Sequence, residues 1–241
     1  MDTPEPRRRG RAPMTSAELI ARAVIKVGFQ DLTMAKVANS LGMKHSSLYR
    51  HVASREELIS MAVDLMILES PAVTPAQDWR GHLEQLTDAV WEQFERFPGL
   101  ASEVAALPEP PAGLLWVFAS SAEILVSFGF SAERAMMVTD LLCDMTVSSY
   151  LNATQPVRAK ADRAAEIKAK YRSLREVRPD VQLPGSEQKS EQIEAALADA
   201  FASQGKQWWR QKRDFILDTL AVEVRRAAGL QFRPSSPPIM N

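Results

Sequence analysis

Leu32 to Val52, LTMAKVANSLGMKHSSLYRHV, is the stretch whose reading decides the fold. Thr33 is placed to cap a helix with its hydroxyl, and Met34, Val37, Ala38 and Leu41 follow at helical spacing on one face. Gly42 stands directly after the last apolar position, where a left-handed residue ends a helix. From Lys44 a second helix of about two turns begins, with Leu48 as its inward residue. Small Ala38 lets the two helices cross closely, so Lys44, His45, Ser46, Ser47, Tyr49 and Arg50 project outward. Base edges and phosphates require such an outward row of donors. A packing hairpin would favour longer, Leu- and Ala-rich helices, whereas this second helix is crowded with hydroxyl residues. The pattern is that of a DNA-reading helix-turn-helix.

Composition limits the rest. The chain has 241 residues, 46% of them hydrophobic, enough to build a substantial core. No apolar run approaches the roughly 20 residues that cross a bilayer, so no membrane role and a cytoplasmic location are expected. Cys143 is the single cysteine and His45, His51 and His82 are the only histidines, which leaves little for metal chemistry. No metal site and no cofactor are expected. The formal net charge of −1 divides unevenly: residues 1–60 carry ten Lys and Arg against six acids, 10 − 6 = +4, so the remainder carries −1 − 4 = −5. A basic end on an acidic body suits a protein that presents one end to phosphates. Phosphate-binding glycine loops, HExxH, GxSxG and a Cys/His pair with evident geometry are lacking, which argues against an enzyme.

The expected architecture is all-α with about ten helices: a small three-helix DNA-binding domain followed by a larger helical regulatory and dimerisation domain. Residues 1–13 read as a disordered basic arm, 14–60 as the helix-turn-helix domain, 61–230 as the effector-binding and dimerisation domain, and 231–241 as a flexible tail. Thr15 and Glu18 suggest a capping box for a first helix with Leu19, Ala23, Val24 and Val27 inward, ending at Gly28. Ser54 and Glu57 repeat the signature for a fourth helix with Leu58, Met61, Leu65 and Leu68 on its apolar side, ending before Pro71. Thr74, Pro75 and Gln77 suggest the start of a long fifth helix with Trp79, Leu83, Leu86, Val90, Phe94 and Phe97 in its stripe. A short piece from Leu100 to Leu107 follows, then the stiff PEPP turn, 108–111. Ala112 to Phe128 is apolar almost all round, which predicts a buried helix. A helix from Ala132 to Asn152, capped by Ser131, carries two stripes and is expected to bury both faces. Charged residues 157–178 form an amphipathic helix with Ala161, Ala164, Ile167, Tyr171 and Leu174 inward, and two last helices are expected at about 188–203 and 206–228.

The order of arm, supporting helix, LTMAKVANSLGMKHSSLYRHV and a capped helix starting SREEL resembles the N-terminal domain of the TetR family of bacterial transcription regulators. The likeness covers about residues 15–60, in the LG turn, the LY pair, the following HV and the charged start of helix 4. Beyond Met66 it is architectural, and Trp79 to Leu100 and 131–152 look like the tetracycline-repressor branch. The resemblance implies that Thr33 and Tyr49 contact phosphates and that His45, Ser46 and Ser47 face bases, with Lys44 nearby. His51 and Arg55 fall where the family contacts the DNA backbone. Ala35 and Arg50 depart from the tetracycline repressor, so the operator must differ. Arg8, Arg9 and Arg11 of the arm are placed to enter an adjacent minor groove or lie along phosphates.

One short recognition helix reads only a few base pairs, so a homodimer on a palindromic double-stranded DNA operator is expected. Its surface is assigned to Val138, Leu142, Met145 and Ser149 with Trp208, Phe215, Leu217 and Val222, packed as a four-helix bundle. Residues 79–152 combine large soft side chains with a few polar groups, the pattern of a small-molecule site. The expected effector pocket comprises His82, Trp91, Phe94, Trp116, Glu123, Met136, Asp140, Cys143 and Asp144. With one histidine in that domain, an apolar or aromatic effector without metal is favoured. An effector between helices 5 and 8 would displace helix 4, and repression is the expected sign. The competing readings are a helical protein-interaction module and a ligand-independent DNA-binding protein.

Overall fold

Amphipathic stripes punctuated by capping residues and glycines give a chain of helices. The computed structural model describes residues 16–71, 76–154, 160–177, 186–202 and 205–227. Among these are eleven helices and no strand: α1 (Ser16–Val27), α2 (Met34–Ser40), α3 (His45–Leu48), α4 (Arg55–Glu69), α5 (Trp79–Arg96), α6 (Leu100–Ala106), α7 (Ala112–Ser127), α8 (Ala132–Thr154), α9 (Lys160–Val177), α10 (Ser186–Ala202) and α11 (Lys206–Ala227). The arm with Arg8, Arg9 and Arg11, Thr15, the Thr74–Pro75 start signal and the tail lie outside the described residues. The chain divides into two compact units, one of residues 1–74 and 95–120, the other of 75–94 and 121–241.

In the first unit α1 packs on α4 and α2. Its core holds Ile20, Val24, Phe29, Leu32, Val37, Ala38, Leu48, Val52, Leu58, Ile59 and Ala62, all nearly inaccessible. Two expected inward residues are corrected. Leu19 is 42% exposed, because at roughly 100° per residue it lies about 140° round the helix from Val24. Leu68 is 81% exposed. The buried face of α4 is Leu58, Ile59, Ala62 and Val63, a pair of i, i+4 ridges that Leu68 does not join. Ser54 caps α4 by accepting from the Glu57 N–H at 3.2 Å, and the Glu57 carboxylate accepts from the Ala53 N–H at 2.6 Å. The capping box thus forms with its return bond one residue early.

α6 and the start of α7 belong to this unit. Phe97 meets Phe29 edge-on at 6.3 Å, and Gly99 sits at φ +89 against the loop after α1. A Cβ there would lie 2.7 Å from the Gln30 nitrogen, so only glycine allows this approach. Asp64 of α4 accepts from the Gly113 N–H in the first turn of α7 at 2.7 Å.

In the second unit Leu83, Ala122, Leu125, Ala135, Val138, Leu142, Leu217 and Leu220 form one apolar core, flanked by Trp79, Phe130, Met145 and Ile216. The cap of α5 is Asp78, which accepts from the Gly81 N–H at 2.7 Å. The expectation that α7 is buried is overturned: its buried residues are Ser121, Ala122 and Leu125, while Leu115, Trp116 and Val126 are exposed. Its fully buried edge joins two small residues to Leu125, while Leu114, Val117, Phe118 and Ile124 are half-buried. α8 likewise buries one stripe, Ala135, Val138, Thr139, Leu142, Cys143, Thr146 and Ser149, and exposes Met136, Met137 and Leu141. Its 3–4 spacing is a single seam, not two faces. α9 packs on α10, with Arg172 paired to Glu194 at 2.7 Å, and Leu174, expected inward, is exposed.

Candidate nucleic-acid interface and regulatory core

The surface expected to face DNA is built on the turn between α2 and α3. Thr33 accepts from the Lys36 N–H at 3.2 Å, as its capping role requires. At the other end of α2 the Met43 N–H donates to the Ala38 carbonyl and the Gly42 N–H to that of Asn39, both at 3.0 Å, with Gly42 at φ +66. This paired closure leaves no slack in the turn. α3 is one turn long, shorter than expected, and turn hydrogen bonds continue it to Val52. Leu48 is buried beneath it, which fixes the outward direction of its neighbours.

Lys44, His45, Ser46, Tyr49, Arg50 and His51 are exposed, Ser47 is half-buried, and Thr33 is exposed at the rim. The His45 and Tyr49 rings meet edge-to-face at 5.1 Å, and Arg50 donates to the Ser47 hydroxyl at 3.2 Å. These contacts hold the aromatic hydroxyl and the guanidinium at the same surface. Arg55 is the exception. Its Nη1 and Nη2 donate to the two Glu103 carboxylate oxygens at 2.7 and 2.5 Å, and its Nε donates to the Leu32 carbonyl at 3.1 Å. The Glu103 hydrogen bonds raise its proton affinity above the ordinary guanidinium range. A fork spent on a carboxylate is not offered to phosphate, so the expected backbone contact by Arg55 is corrected to an internal clasp.

The residues expected to line the effector pocket separate. His82, Trp91, Phe94 and Cys143 are buried, whereas Glu123, Met136, Asp140 and Asp144 are exposed, and Trp116, 54% exposed, belongs to the other unit. Of the buried set, Trp91 stacks on Trp209 at 4.6 Å and meets Tyr150 edge-on at 5.1 Å. The Tyr150 hydroxyl donates to the Phe94 carbonyl at 2.7 Å, and the Trp209 indole N–H donates to Thr146 at 3.0 Å. Arg213 lies over Trp209 and pairs with Asp88 at 3.3 Å. Burial, with Asp144 and Asp140 adding repulsion, pushes the Cys143 thiol up to about 12. His82 meets the Ser121 hydroxyl at 3.0 Å, and Ser121 lies 3.2 Å from the Thr139 hydroxyl. Among the described residues no group of three His, Cys, Asp or Glu could hold a metal ion, and no helix is long and apolar enough to cross a membrane.

Residues 15–61 match the family described as bacterial regulatory proteins, tetR family. Residues 15–61 thus form a domain of the TetR-family type. A curated relative, the HTH-type transcriptional repressor DrrR1 of Streptomyces coeruleorubidus, is 29% identical over 100 residues, which cover 38% of this chain and 36% of that protein. The match thus spans about a third of the relative's length. Among solved structures, ActR of Streptomyces coelicolor in complex with (S)-DNPA gives a TM-score of 0.65 at 20% identity, over 88% of this chain and 99% of that one. ActR in complex with actinorhodin gives 0.60 at 22% identity, over 92% and 100%. At such identity the likeness shows the fold, and it extends well beyond the TetR-family domain.

The structure adds residues that the sequence alone did not single out. Glu103 and Gly113 gave no signal, since their partners lie 48 and 49 residues away in sequence. Thr139 and Thr146 did carry one: both fall in register with Val138 and Leu142 on α8, and a hydroxyl on a buried stripe asks for a partner. The surface assigned to the dimer is also corrected. Val138, Leu142, Ser149 and Leu217 are buried within the protomer, so they finish its own core and are not available to a second copy.

Proposed function

We propose that the protein is a ligand-responsive transcriptional regulator, a repressor that binds a palindromic operator as a homodimer and is released by a small apolar or aromatic effector. The observation that carries this reading is the exposed row Lys44, His45, Ser46, Tyr49, Arg50 and His51 over a fully buried Leu48. Such a row has no use in packing and suits base edges and phosphates. The repressor activity named for DrrR1 and the ligands named for the ActR complexes support the regulatory half of the reading.

With Val138 and Leu142 buried, the dimer surface moves to the outward sides of α8 and α11, where Met137, Leu141, Phe215 and Val222 are exposed. Phe215 is 74% exposed, a large apolar cost unless a partner covers it. Two heads joined this way would address half-sites about one DNA turn, roughly 34 Å, apart.

The release mechanism uses the contacts made by α4. Arg55 is clasped to Glu103 of α6 and Asp64 to the first turn of α7, so a shift of α6 and α7 is passed to α4 and the recognition helix. Helices α5 and α7 each have residues in both units, which gives the effector-binding unit a covalent path to that shift. Moving such an equilibrium from 1:99 to 99:1 takes about 5.5 kcal/mol of differential affinity. The test is selection of bound duplexes from a random library, followed by a panel of aromatic compounds added to the selected complex. Symmetric duplexes that are released by some of these compounds are expected. Enrichment without symmetry would remove the dimer, and a complex that no compound disturbs would remove the effector.

A further inference from the structure

Residues 28–33 join α1 to α2 on a backbone that bends twice. Gly28 stands at φ +85 and Asp31 at φ +56, a left-handed angle that a residue with a Cβ keeps only where its surroundings over-determine it. Two cations supply part of that constraint, on consecutive carbonyls. Lys36 Nζ donates to the Asp31 carbonyl at 2.7 Å, and Arg55 Nε donates to the Leu32 carbonyl at 3.1 Å. Lys36 belongs to α2, the helix that the loop feeds, whereas Arg55 is the first residue of α4. The direction of its Nε is set from α6. A guanidinium is a rigid plane, so once Nη1 and Nη2 are both spent on the Glu103 carboxylate, the Nε–H has one direction left, and the Leu32 carbonyl lies in it. Without Glu103 the plane would be free to turn, since the Arg55 side chain is 37% exposed and water competes for its donors.

Gly99, the N-cap of α6, lies one turn before Glu103 on the same face, and it is there that a Cβ would come within 3 Å of the Phe29 and Gln30 backbone. One face of α6 therefore meets the loop twice, directly at Phe29 and Gln30 and through Arg55 at Leu32. Thr33 follows immediately. Its hydroxyl accepts from the Lys36 N–H and its carbonyl from the Val37 N–H, both at 3.2 Å, so the place of the Leu32 carbonyl decides where α2 begins. We infer that Glu103 is a positioning residue for operator binding: through Arg55 and the Leu32 carbonyl it sets the α1–α2 loop, and with it Thr33 and α2. This rests on the DNA-binding reading above and adds a route from α6 to α2 that does not require the body of α4 to move.

The test compares Glu103→Ala and Arg55→Lys with the native full-length protein on a selected duplex, over a salt series. Glu103→Ala is expected to bind about tenfold more weakly, in line with one hydrogen bond to a charged group, and with the native salt slope because no phosphate contact is removed. Arg55→Lys keeps the charge and an ammonium for Glu103 but has no Nε. It should keep the native melting temperature and salt slope and still lose affinity to a similar extent. Native affinity in Arg55→Lys would mean that the ion pair alone suffices, and a lower salt slope in either variant would mean a lost phosphate contact; each overturns the proposal. Amide hydrogen exchange separates the two routes. In Glu103→Ala protection should drop about tenfold at Lys36 and Val37, where α2 starts, while residues 59–63 of α4 keep theirs. Unchanged protection at Lys36 and Val37, or an equal loss along α4, would overturn the direct route. If the native protein selects no duplex, the DNA-binding reading falls and takes the proposal with it. If the native protein and both variants bind the duplex equally, that reading stands and the Glu103 proposal falls.

Discussion

Arginines at the ends of helices are easily read as phosphate contacts, and Arg50 and Arg55 show how far local sequence separates the two outcomes. Arg50 is exposed beside Ser47, while Arg55 holds Glu103 and the Leu32 carbonyl. Nothing near Arg55 in sequence announces a carboxylate 48 residues away. Salt titration distinguishes the roles. Lys44→Ala and Arg50→Ala should each weaken DNA binding and lower the salt slope by about one, whereas Arg55→Ala should leave the slope unchanged. A double-mutant cycle of Arg55 and Glu103 should give a coupling of about 0.5–1 kcal/mol in stability, modest because the guanidinium is partly exposed. Cys143 gives a second test at this scale. With its thiol buried and pushed up to about 12, it should resist iodoacetamide at pH 8 in the native protein and react at once in denaturant. Rapid native labelling, read by mass spectrometry, would contradict its placement in the α8 seam.

Elements were legible where caps and periodicity agreed. Thr33, Gly42, Ser54 and Ser131 all act at the helix ends where their types place them. Which face a helix buries was less legible when apolar residues surround it. On α7 the composition pointed inward on every side, yet only Ser121, Ala122 and Leu125 are fully buried, one short edge of the helix. Of the residues expected at the effector pocket, Met136, Asp140 and Asp144 share α8 with Cys143 but stand off its buried seam. Gly99 could not be distinguished in sequence from an ordinary helix breaker. Gly99→Ala should cost about 1–3 kcal/mol for its backbone angle alone, and more because its Cβ would meet the Phe29–Gln30 backbone at under 3 Å. Gly42→Ala, with open space around it, should show the angular cost only. Denaturant midpoints for the two variants measure the difference, and equal losses would mean that the close approach at Gly99 is not maintained in solution.

For the whole molecule, the His82 network ties stability to pH. An unfolded histidine takes up a proton as pH falls through its ordinary value of about 6.5, while burial keeps the folded ring neutral. Its contribution is full above that value and is lost progressively below it, because the unfolded state then binds the extra proton. Thermal melting should therefore fall between pH 7 and pH 5, and His82→Gln should flatten part of that decline. An unchanged profile in the variant would place the sensitivity elsewhere. The central claim concerns the exposed row on α3 and its use in pairs. It is tested most directly by fluorescence anisotropy of the native protein on a selected duplex, over a salt series, beside the same duplex with one half-site scrambled. Two protomers per duplex, a steep loss of affinity with salt, and a preference of about a thousandfold or more for the intact site are predicted. Equal affinity for the two duplexes, or binding that salt leaves unchanged, would contradict it.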